Sequence, residues 1–254
     1  MAKLTIAVMG KGGAGKTATI TLITKILMKR RERLLIIDAD PAMGLANVLG
    51  IRAEKTLEDL RHEIIKVGGR GIEEEKEDLV LSIDYKAMEL IIEEDGYSAL
   101  VMGQPKTLGC FCPANTLLRR ALKPLTKAFD IILLDCEAGL EQINRKVVED
   151  IDLLLIITDP TVRGIQAANA IEEMAQKYTK ASKFGLIINK VTTPAIIETL
   201  RHQTKLDIIG TVPLDPKIAE FDLLGRSLLE LPEDSISIKA LIPILEDLGI
   251  FKRE

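Results

Sequence analysis

The residues with the clearest capacity for chemistry form a glycine loop near the start of the chain, Gly10-Lys11-Gly12-Gly13-Ala14-Gly15-Lys16-Thr17. The loop follows an apolar run, Leu4 to Met9, and precedes a helix-like run, Ala18 to Met28. Glycines allow backbone N–H groups to turn towards phosphate oxygens, and the start of a helix adds partial positive charge. Lys16 can reach the β- and γ-phosphates of a nucleotide, and the Thr17 hydroxyl can bind Mg²⁺. Strand, glycine loop and helix in this order predict a phosphate-binding loop rather than an ordinary turn.

Acidic side chains stand at the ends of two further apolar runs. The run from Ile131 ends at Asp135, and another ends in Asp38-Ala39-Asp40-Pro41. The carboxyl ends of parallel strands form the rim at which α/β sheets bind ligands. The position of Asp135 is typical of a carboxylate that binds Mg²⁺ through water. Asp40 has an alternative interpretation, as the N-cap of a short helix around Ala42–Leu49.

A pair of cysteines, Cys110-Phe111-Cys112-Pro113, lies in a segment rich in residues that break helices and strands. In an extended segment their Cα atoms are roughly 7 Å apart, at or beyond the usual limit for a disulfide. Both sulfurs could bind one metal ion, and a two-fold dimer with this segment on its axis would supply four ligands. Thiolates suit Zn²⁺, and a planar set of four suits Ni²⁺. The spacing alone is also compatible with the alternative that both cysteines are unreactive and serve only as small packing residues.

The remaining metal-type side chains are isolated. His62 and His202 have no ligand spacing to another candidate, so we expect packing or surface roles for both. Cys136 directly follows Asp135, and we expect it to pack in the interior.

Short apolar runs alternate with amphipathic stretches. This pattern predicts a single α/β domain over 1–254, with a mostly parallel central sheet of about seven strands and helices on both faces. The stretch from Arg52 to Gly96 is the least regular, and its acidic run at 73–78 favours a solvated, helical or mobile insertion over a docking site. Candidate strands are Leu4–Met9, Leu34–Asp38, Ala99–Gly103, Ile131–Asp135, Leu153–Thr158, Phe184–Asn189 and Ile208–Val212, and candidate helices include Lys16–Arg31, Asn115–Ala128, Gly164–Lys177 and Ile238–Leu248.

The composition argues against several classes of function. The 254 residues are 47% hydrophobic, as in a folded globular protein, and carry a net charge of −4. An acidic chain with 3% aromatic residues is poorly suited to nucleic-acid binding, and no apolar run is long enough to span a membrane. Three cysteines without a leader segment are typical of the reducing cytoplasm. We therefore expect a cytoplasmic protein without a nucleic-acid or membrane partner.

Lys11, at the start of the glycine loop, narrows the comparison with known proteins. The run Lys-Gly-Gly-x-Gly-Lys-Thr resembles the deviant Walker A ATPases. That P-loop family includes the Min-type and partition ATPases, the nitrogenase iron protein and nickel-insertion factors. The resemblance implies hydrolysis of ATP to ADP and phosphate with Mg²⁺, with Lys16 as a second catalytic lysine. It also implies that Lys11 reaches the nucleotide of a partner subunit, so that ATP, metal or both hold a homodimer together.

The same resemblance implies roles for residues elsewhere in the chain. Asp40 would orient the attacking water, and Asp38 would face the Mg²⁺ sphere together with Thr17 and Asp135. Asn189 would hydrogen-bond the adenine edge. The nucleotide-binding residues that it implies are Gly12, Gly13, Ala14, Gly15, Lys16, Thr17, Gly139, Asn189 and Pro213.

A Cys-x-Cys pair downstream of such a loop resembles the CooC-type accessory factors that insert nickel into carbon monoxide dehydrogenase or acetyl-CoA synthase. The stretch Asp135-Cys136-Glu137-Ala138-Gly139 is also similar to that branch. This resemblance implies a metallochaperone that binds Ni²⁺ or Zn²⁺ through Cys110 and Cys112 across a dimer and delivers the ion to such a client enzyme. Two alternatives stay open: a positioning or partition ATPase that acts on membrane or DNA, and an iron–sulfur reductase like the nitrogenase iron protein.

Overall fold

The strands that the computed structural model describes belong to one sheet. The structure describes residues 4–30, 32–104, 106, 116, 127–136, 151–179 and 181–251. Within these ranges the strands are β1 (Leu4–Gly10), β2 (Leu34–Asp38), β3 (Ile92–Glu94), β4 (Tyr97–Val101), β5 (Ile131–Asp135), β6 (Leu153–Thr158), β7 (Lys183–Val191) and β8 (Ile208–Pro213). The sheet order is β3-β4-β2-β5-β1-β6-β7-β8, and every pairing is parallel except β3 with β4.

Helices cover both faces of this sheet. The helices whose bounds lie within the described ranges are α1 (Lys16–Met28), α2 (Gly44–Leu49), α3 (Leu57–Arg70), α4 (Glu73–Met88), α5 (Val162–Tyr178), α6 (Ile196–Arg201), α7 (Pro216–Leu223) and α8 (Ile236–Asp247), with a 3-10 turn at Leu228–Glu230. One apolar core contains residues of α1, α2 and α8, and a second core on the opposite face contains residues of α3, α4 and α5. Because both faces are covered, the central strands are buried along their full length, as their continuous apolar runs predict.

The predicted α/β class with a mostly parallel sheet and helices on both faces is confirmed. The main differences in detail among the strands concern β3 and β4. The described residues contain eight strands instead of about seven, because the short antiparallel edge strand β3 was missed. Its three residues include the exposed Glu93 and Glu94, so it lacks the buried apolar pattern of the others. Strand β4 begins at Tyr97 and ends at Val101, two residues earlier than predicted.

The stretch from Arg52 to Gly96, predicted to be the least regular part, contains α3, α4 and β3. Helix α3 begins with a capping box, in which Thr56 accepts from the backbone of Asp59 and the Asp59 side chain accepts from the backbone of Thr56. Helix α4 begins with three glutamates, which the positive end of a helix dipole favours. The predicted helix over 115–128 lies almost wholly outside the described residues.

Helix α8 packs into the core. Ile238, Leu241, Ile244 and Leu245 are buried on one side of it, and Ser235 caps its N-terminus. The apolar spacing of this helix is therefore explained by packing within the fold. Among the described residues, none of the helices combines the length and the apolar character that crossing a membrane requires.

Candidate active site

The glycine loop joins β1 to α1 at the carboxyl edge of the sheet. Gly13 and Gly15 adopt left-handed conformations with φ of 77° and 89°, which non-glycine residues rarely adopt. A Cβ atom on Gly12 or Gly13 would meet nothing within 4 Å, so the space beside this backbone is open. Helix α1 has no side-chain cap and no acidic residue in its first turn. Its N-terminal N–H groups are consequently suited to bind an anion, as the sequence predicts.

Lys16, Thr17 and Asp135 meet beside this loop. The Thr17 hydroxyl lies 3.4 Å from Asp135 Oδ2, and Lys16 Nζ lies 3.5 Å from the carbonyl oxygen of Lys11. Burial, together with the charge of Asp38, raises the pKa of Asp135 to about 7, although Lys16 opposes the shift. Burial disfavours the charged form of this carboxyl group, and a cation bound beside it would stabilise that charged form. The hydroxyl and carboxylate oxygens are ligands that Mg²⁺ prefers, so these residues fit a nucleotide with its magnesium ion.

Asp38 lies next to Asp135, because the two residues are partners in the register of β2 and β5. Its carboxylate is buried and accepts hydrogen bonds from the backbone N–H groups of Asp40, at 3.1 Å, and Ala46, at 2.8 Å. Burial raises the pKa of Asp38, although these backbone hydrogen bonds oppose the shift. Asp38 therefore positions the loop between β2 and α2. Its predicted place in the Mg²⁺ sphere stays a prediction.

Asp40 lies in the same loop, with one carboxylate oxygen accepting from the backbone of Ala42 at 2.8 Å. The cap residue of α2 is Met43, in a left-handed conformation with φ of 53°. Asp40 is therefore not the N-cap of α2, which was its alternative interpretation. Its role in orienting the attacking water remains a prediction.

The end of β7 holds the glycine loop from the other side. Asn189 Nδ2 donates to the carbonyl oxygen of Ala14 at 2.9 Å, and Lys190 Nζ donates to that of Gly13 at 2.8 Å. A Cβ atom on Gly15 would lie 2.4 Å from Asn189 Nδ2, so only glycine fits there. The structure shows that Asn189 binds the loop itself. Its predicted contact with adenine stays a prediction.

A cavity of about 690 Å³ opens beside the loop. Its lining includes Gly15 of the glycine loop, Thr17 of α1, Asn189 of β7 and Pro213 of β8. Four residues predicted to bind nucleotide thus surround one cavity. Asp215, which also lines the cavity, caps α7 and accepts from Ser235, which joins the cavity wall to the start of α8.

Lys11 forms an ion pair within its own chain. Its Nζ lies 3.5 Å from Asp159 Oδ2, just beyond the end of β6, and its side chain is 41% exposed. A pair this long and this exposed contributes little to stability. Lys11 is therefore accessible, and its predicted reach to a partner's nucleotide stays a prediction.

Lys190 and Asp159 were not predicted as site residues. Each follows the apolar core of a buried strand, at the same edge of the sheet as the glycine loop. Their positions at strand ends were the available signal, since ligands of α/β sheets bind at that edge.

Cys136 is buried, and its burial raises the pKa of its thiol far above the ordinary value. Its predicted packing role is confirmed. Cys110, Cys112 and Gly139 lie outside the described residues. Within the described ranges, no group of three or more His, Cys, Asp and Glu side chains is arranged to hold a metal ion.

Comparison with known proteins agrees with this geometry. The model of a family described as an AAA domain matches residues 3–188. An uncharacterized ATP-binding protein of Methanocaldococcus jannaschii is 36% identical over 95% of this chain and 96% of its own length. The carbon monoxide dehydrogenase accessory protein CooC of Rhodospirillum rubrum is 32% identical over 89% of both chains.

Solved structures share the fold at lower identity. The septum site-determining protein MinD from Pyrococcus horikoshii, in complex with Mg-ADP, superposes with a TM-score of 0.71 at 20% identity, over 98% of this chain and 96% of that chain.

Proposed function

Because this chain belongs to the AAA-domain family of P-loop ATPases, we propose that it uses ATP to control a metal ion held by Cys110 and Cys112. The ion is Ni²⁺ or Zn²⁺, and four thiolates of a homodimer bind it. The client is a nickel enzyme such as carbon monoxide dehydrogenase or acetyl-CoA synthase. The likeness to the accessory protein CooC supports this choice of client.

The nucleotide half of the mechanism uses the glycine loop. Its backbone N–H groups and Lys16 bind the phosphates, and the cavity beside Asn189 and Pro213 takes the base. Mg²⁺ held by Thr17 and Asp135 would neutralise charge on the phosphate oxygens. Asp40 orients the attacking water, and Lys11 of the partner subunit stabilises the charge that develops during hydrolysis.

The observation that carries the proposed link between nucleotide and metal is a chain of contacts from the nucleotide edge to the segment that leads to the cysteines. The N–H of Met102 donates to the carbonyl oxygen of Asp38 at 2.8 Å, and the N–H of Glu58 donates to that of Met102 at 2.9 Å. The segment after β4 therefore lies between the nucleotide edge and the start of α3. A movement of Asp38 between nucleotide states would be passed to both.

Two further contacts hold this segment to α3. A Cβ atom on Gly103 would lie 2.3 Å from Thr56 Oγ1, so glycine is required for this close approach. Lys106 pairs with Asp59 of α3. Although burial acts in the opposite direction, hydrogen bonds from Lys106 and Thr56 lower the pKa of Asp59 to about 2. Lys106 precedes Cys110 by four residues, so this ion pair fixes the chain shortly before the pair of thiols.

Metal binding tests the proposal directly. Ni²⁺ and Zn²⁺ binding is titrated calorimetrically for the wild type and for Cys110→Ser/Cys112→Ser, with subunit mass measured with and without ATP. We expect about one ion per two wild-type chains, as a four-thiolate site requires, and none in the double variant. Cys136→Ala, which changes the buried third cysteine, is the matched control and keeps the ion. Equal stoichiometry in wild type and double variant would refute the metal site.

A second measurement addresses the linkage between nucleotide and metal. We expect metal affinity in the wild type to differ between ADP and a non-hydrolysable ATP analogue. Lys106→Ala should reduce this difference, because the segment then loses its ion pair with α3. Lys55→Ala is the control, since Lys55 forms an exposed pair with Glu89 outside the path. The same nucleotide dependence in all three proteins would refute the path.

The positioning or partition ATPase remains the second candidate, because solved MinD and ParA-family structures share this fold. Co-sedimentation with anionic vesicles or DNA in the presence of ATP separates the two functions. Binding to either surface by the Cys110→Ser/Cys112→Ser variant would favour the second candidate.

A further inference from the structure

Helix α4 has an inner face that packs into the fold. Leu79, Ile83 and Ala87 are buried in the core that also contains residues of α3. Their spacing of four residues places them on one side of the helix. This inner face accounts for the attachment of α4 to the domain.

The outer face of α4 is also apolar. Leu81 is 83% exposed, and Tyr85, Met88 and Val80 are 67%, 59% and 44% exposed. Leu81, Tyr85 and Met88 are spaced by four and three residues, so they form one continuous stripe, with Val80 beside it. Single exposed apolar residues are ordinary, but a contiguous stripe on one helix marks an interaction surface.

Carboxylates lie among these apolar side chains. Helical spacing places Glu77 and Asp84 on the outer face between Val80 and Leu81, with Glu74 one turn earlier. Within the described part of the chain, none of these three acidic residues forms an ion pair. The two lysines of α4 are already paired, Lys76 with Glu73 and Lys86 with Glu63. The outer face is therefore apolar and acidic.

The negative charge of the outer face of α4 indicates which kind of partner can bind there. A second copy of the same face, an anionic lipid surface and a nucleic acid would each bring negative charge against Glu74, Glu77 and Asp84. An amphipathic helix with lysine or arginine beside its apolar stripe would bury the exposed side chains and pair the carboxylates. A side chain of such a helix could bind in a shallow depression of about 460 Å³ on this face, which is lined by Glu73, Lys76, Glu77, Val80 and Leu81.

We propose that the α4 face, made of Glu74, Glu77, Val80, Leu81, Asp84, Tyr85 and Met88, docks a basic amphipathic helix of a partner protein. The acidic run was predicted to be solvated from sequence, and the stripe of exposed apolar residues beside it is what the structure adds. The face shares no residue with the lining described for the nucleotide cavity. Docking here is therefore compatible with bound ATP, and it does not depend on whether the cysteines bind metal.

The test uses a defined probe. A fluorescein-labelled peptide of 18 leucine and lysine residues, with leucines on one helical face, is titrated by fluorescence anisotropy. Its counterpart carries glutamate in place of every lysine. We expect the lysine peptide to bind at least about tenfold tighter, and its affinity to fall as salt is raised.

Variants locate the binding. Leu81→Ser/Tyr85→Ser removes apolar contact, and Glu77→Lys/Asp84→Lys reverses charge. We expect each to weaken binding of the lysine peptide at least about fivefold. Glu173→Lys, an exposed charge reversal on α5, is the matched control and should change affinity less than about twofold. An unchanged ATPase rate shows that each variant is folded.

Three results would overturn the proposal. The two peptides could bind equally, or both α4 variants could bind like the wild type. Alternatively, loss of self-association or of anionic-vesicle binding on Leu81→Ser/Tyr85→Ser would assign the face to a second copy or to lipid.

Discussion

Replacing Asn189 with alanine removes the hydrogen bond that joins the end of β7 to the glycine loop. Asn189 Nδ2 donates to the carbonyl oxygen of Ala14 over 2.9 Å, and the two residues are 7% and 0% exposed. In the variant this carbonyl loses its partner where water has little access. An unsatisfied buried acceptor costs about 1–3 kcal/mol, which corresponds to about 5- to 150-fold in an equilibrium constant.

This cost divides between fold stability and nucleotide affinity. If the loop of the ligand-free variant keeps its native conformation, the free energy of unfolding falls. If the loop instead relaxes, the nucleotide must reorder it and therefore binds more weakly. We expect the two losses in Asn189→Ala to sum to about 1–3 kcal/mol.

Two ligands separate the roles of Asn189. Calorimetric titration with tripolyphosphate, which has no base, reports the glycine loop alone. Titration with Mg·ATP reports the loop and the base together. Asn189 keeps one amide N–H and one oxygen lone pair for adenine, so any additional loss for ATP measures that predicted contact. Chemical denaturation supplies the change in unfolding free energy.

Lys190→Ala is the matched control, because its bond to Gly13 is equally short but exposed. We expect it to cost about 1 kcal/mol or less. An Asn189→Ala protein with wild-type stability and wild-type affinity for tripolyphosphate would refute the conclusion that β7 holds the loop.

Three further predictions concern stability, pH and assembly. Gly10→Ala should lower the free energy of unfolding, measured by chemical denaturation, by about 1–3 kcal/mol, because the added Cβ would lie 2.0 Å from the backbone oxygen of Ile157. Gly12→Ala is the control and should lower it far less, because its added Cβ would have no atom within 4 Å. Although burial acts in the opposite direction, hydrogen bonds from Ser235 and backbone amides lower the pKa of Asp215 below its ordinary 3.8. The ionised Asp215 therefore stabilises the fold above pH 3.8, and this contribution is lost as the pH falls through the lowered pKa. In Asp215→Asn the melting temperature should consequently fall less steeply at acidic pH than in the wild type. An equally steep fall in both proteins would contradict this. Lys11→Ala should change the melting temperature little, since its pair is long and exposed, but should abolish any ATP-dependent doubling of mass in light scattering; doubling as in wild type would contradict its role across the dimer.

The glycine loop was predictable because its chemistry is local. Eight consecutive residues carry the left-handed glycines, the lysine and the threonine, and the apolar runs on either side define strand and helix without tertiary information. Asp38 and Asp135 were recognisable for the same reason, as carboxylates at the ends of buried strands. Their side-by-side position follows once both strands lie next to each other in one parallel sheet.

Helix α4 was not predicted as a firm element because it is apolar on both sides. Leu79 and Ile83 face the core, while Leu81 and Tyr85 face outwards, so no single stripe with helical period stands out. The proposed docking face on α4 was not predicted for the same reason. The exposure of a side chain depends on which neighbours cover it, and the sequence alone does not show which residues those are.

The sequence by itself determined the features that neighbouring residues carry in a clear pattern: the phosphate-binding loop, the buried strands and the class of fold. What only the tertiary structure decided were contacts between distant residues, such as Asn189 with Ala14 across 175 positions and Lys11 with Asp159 across 148. The physical reason is that these pairs form only when strand order brings their ends to one edge of the sheet. That order is set by the packing of the whole core rather than by local propensity.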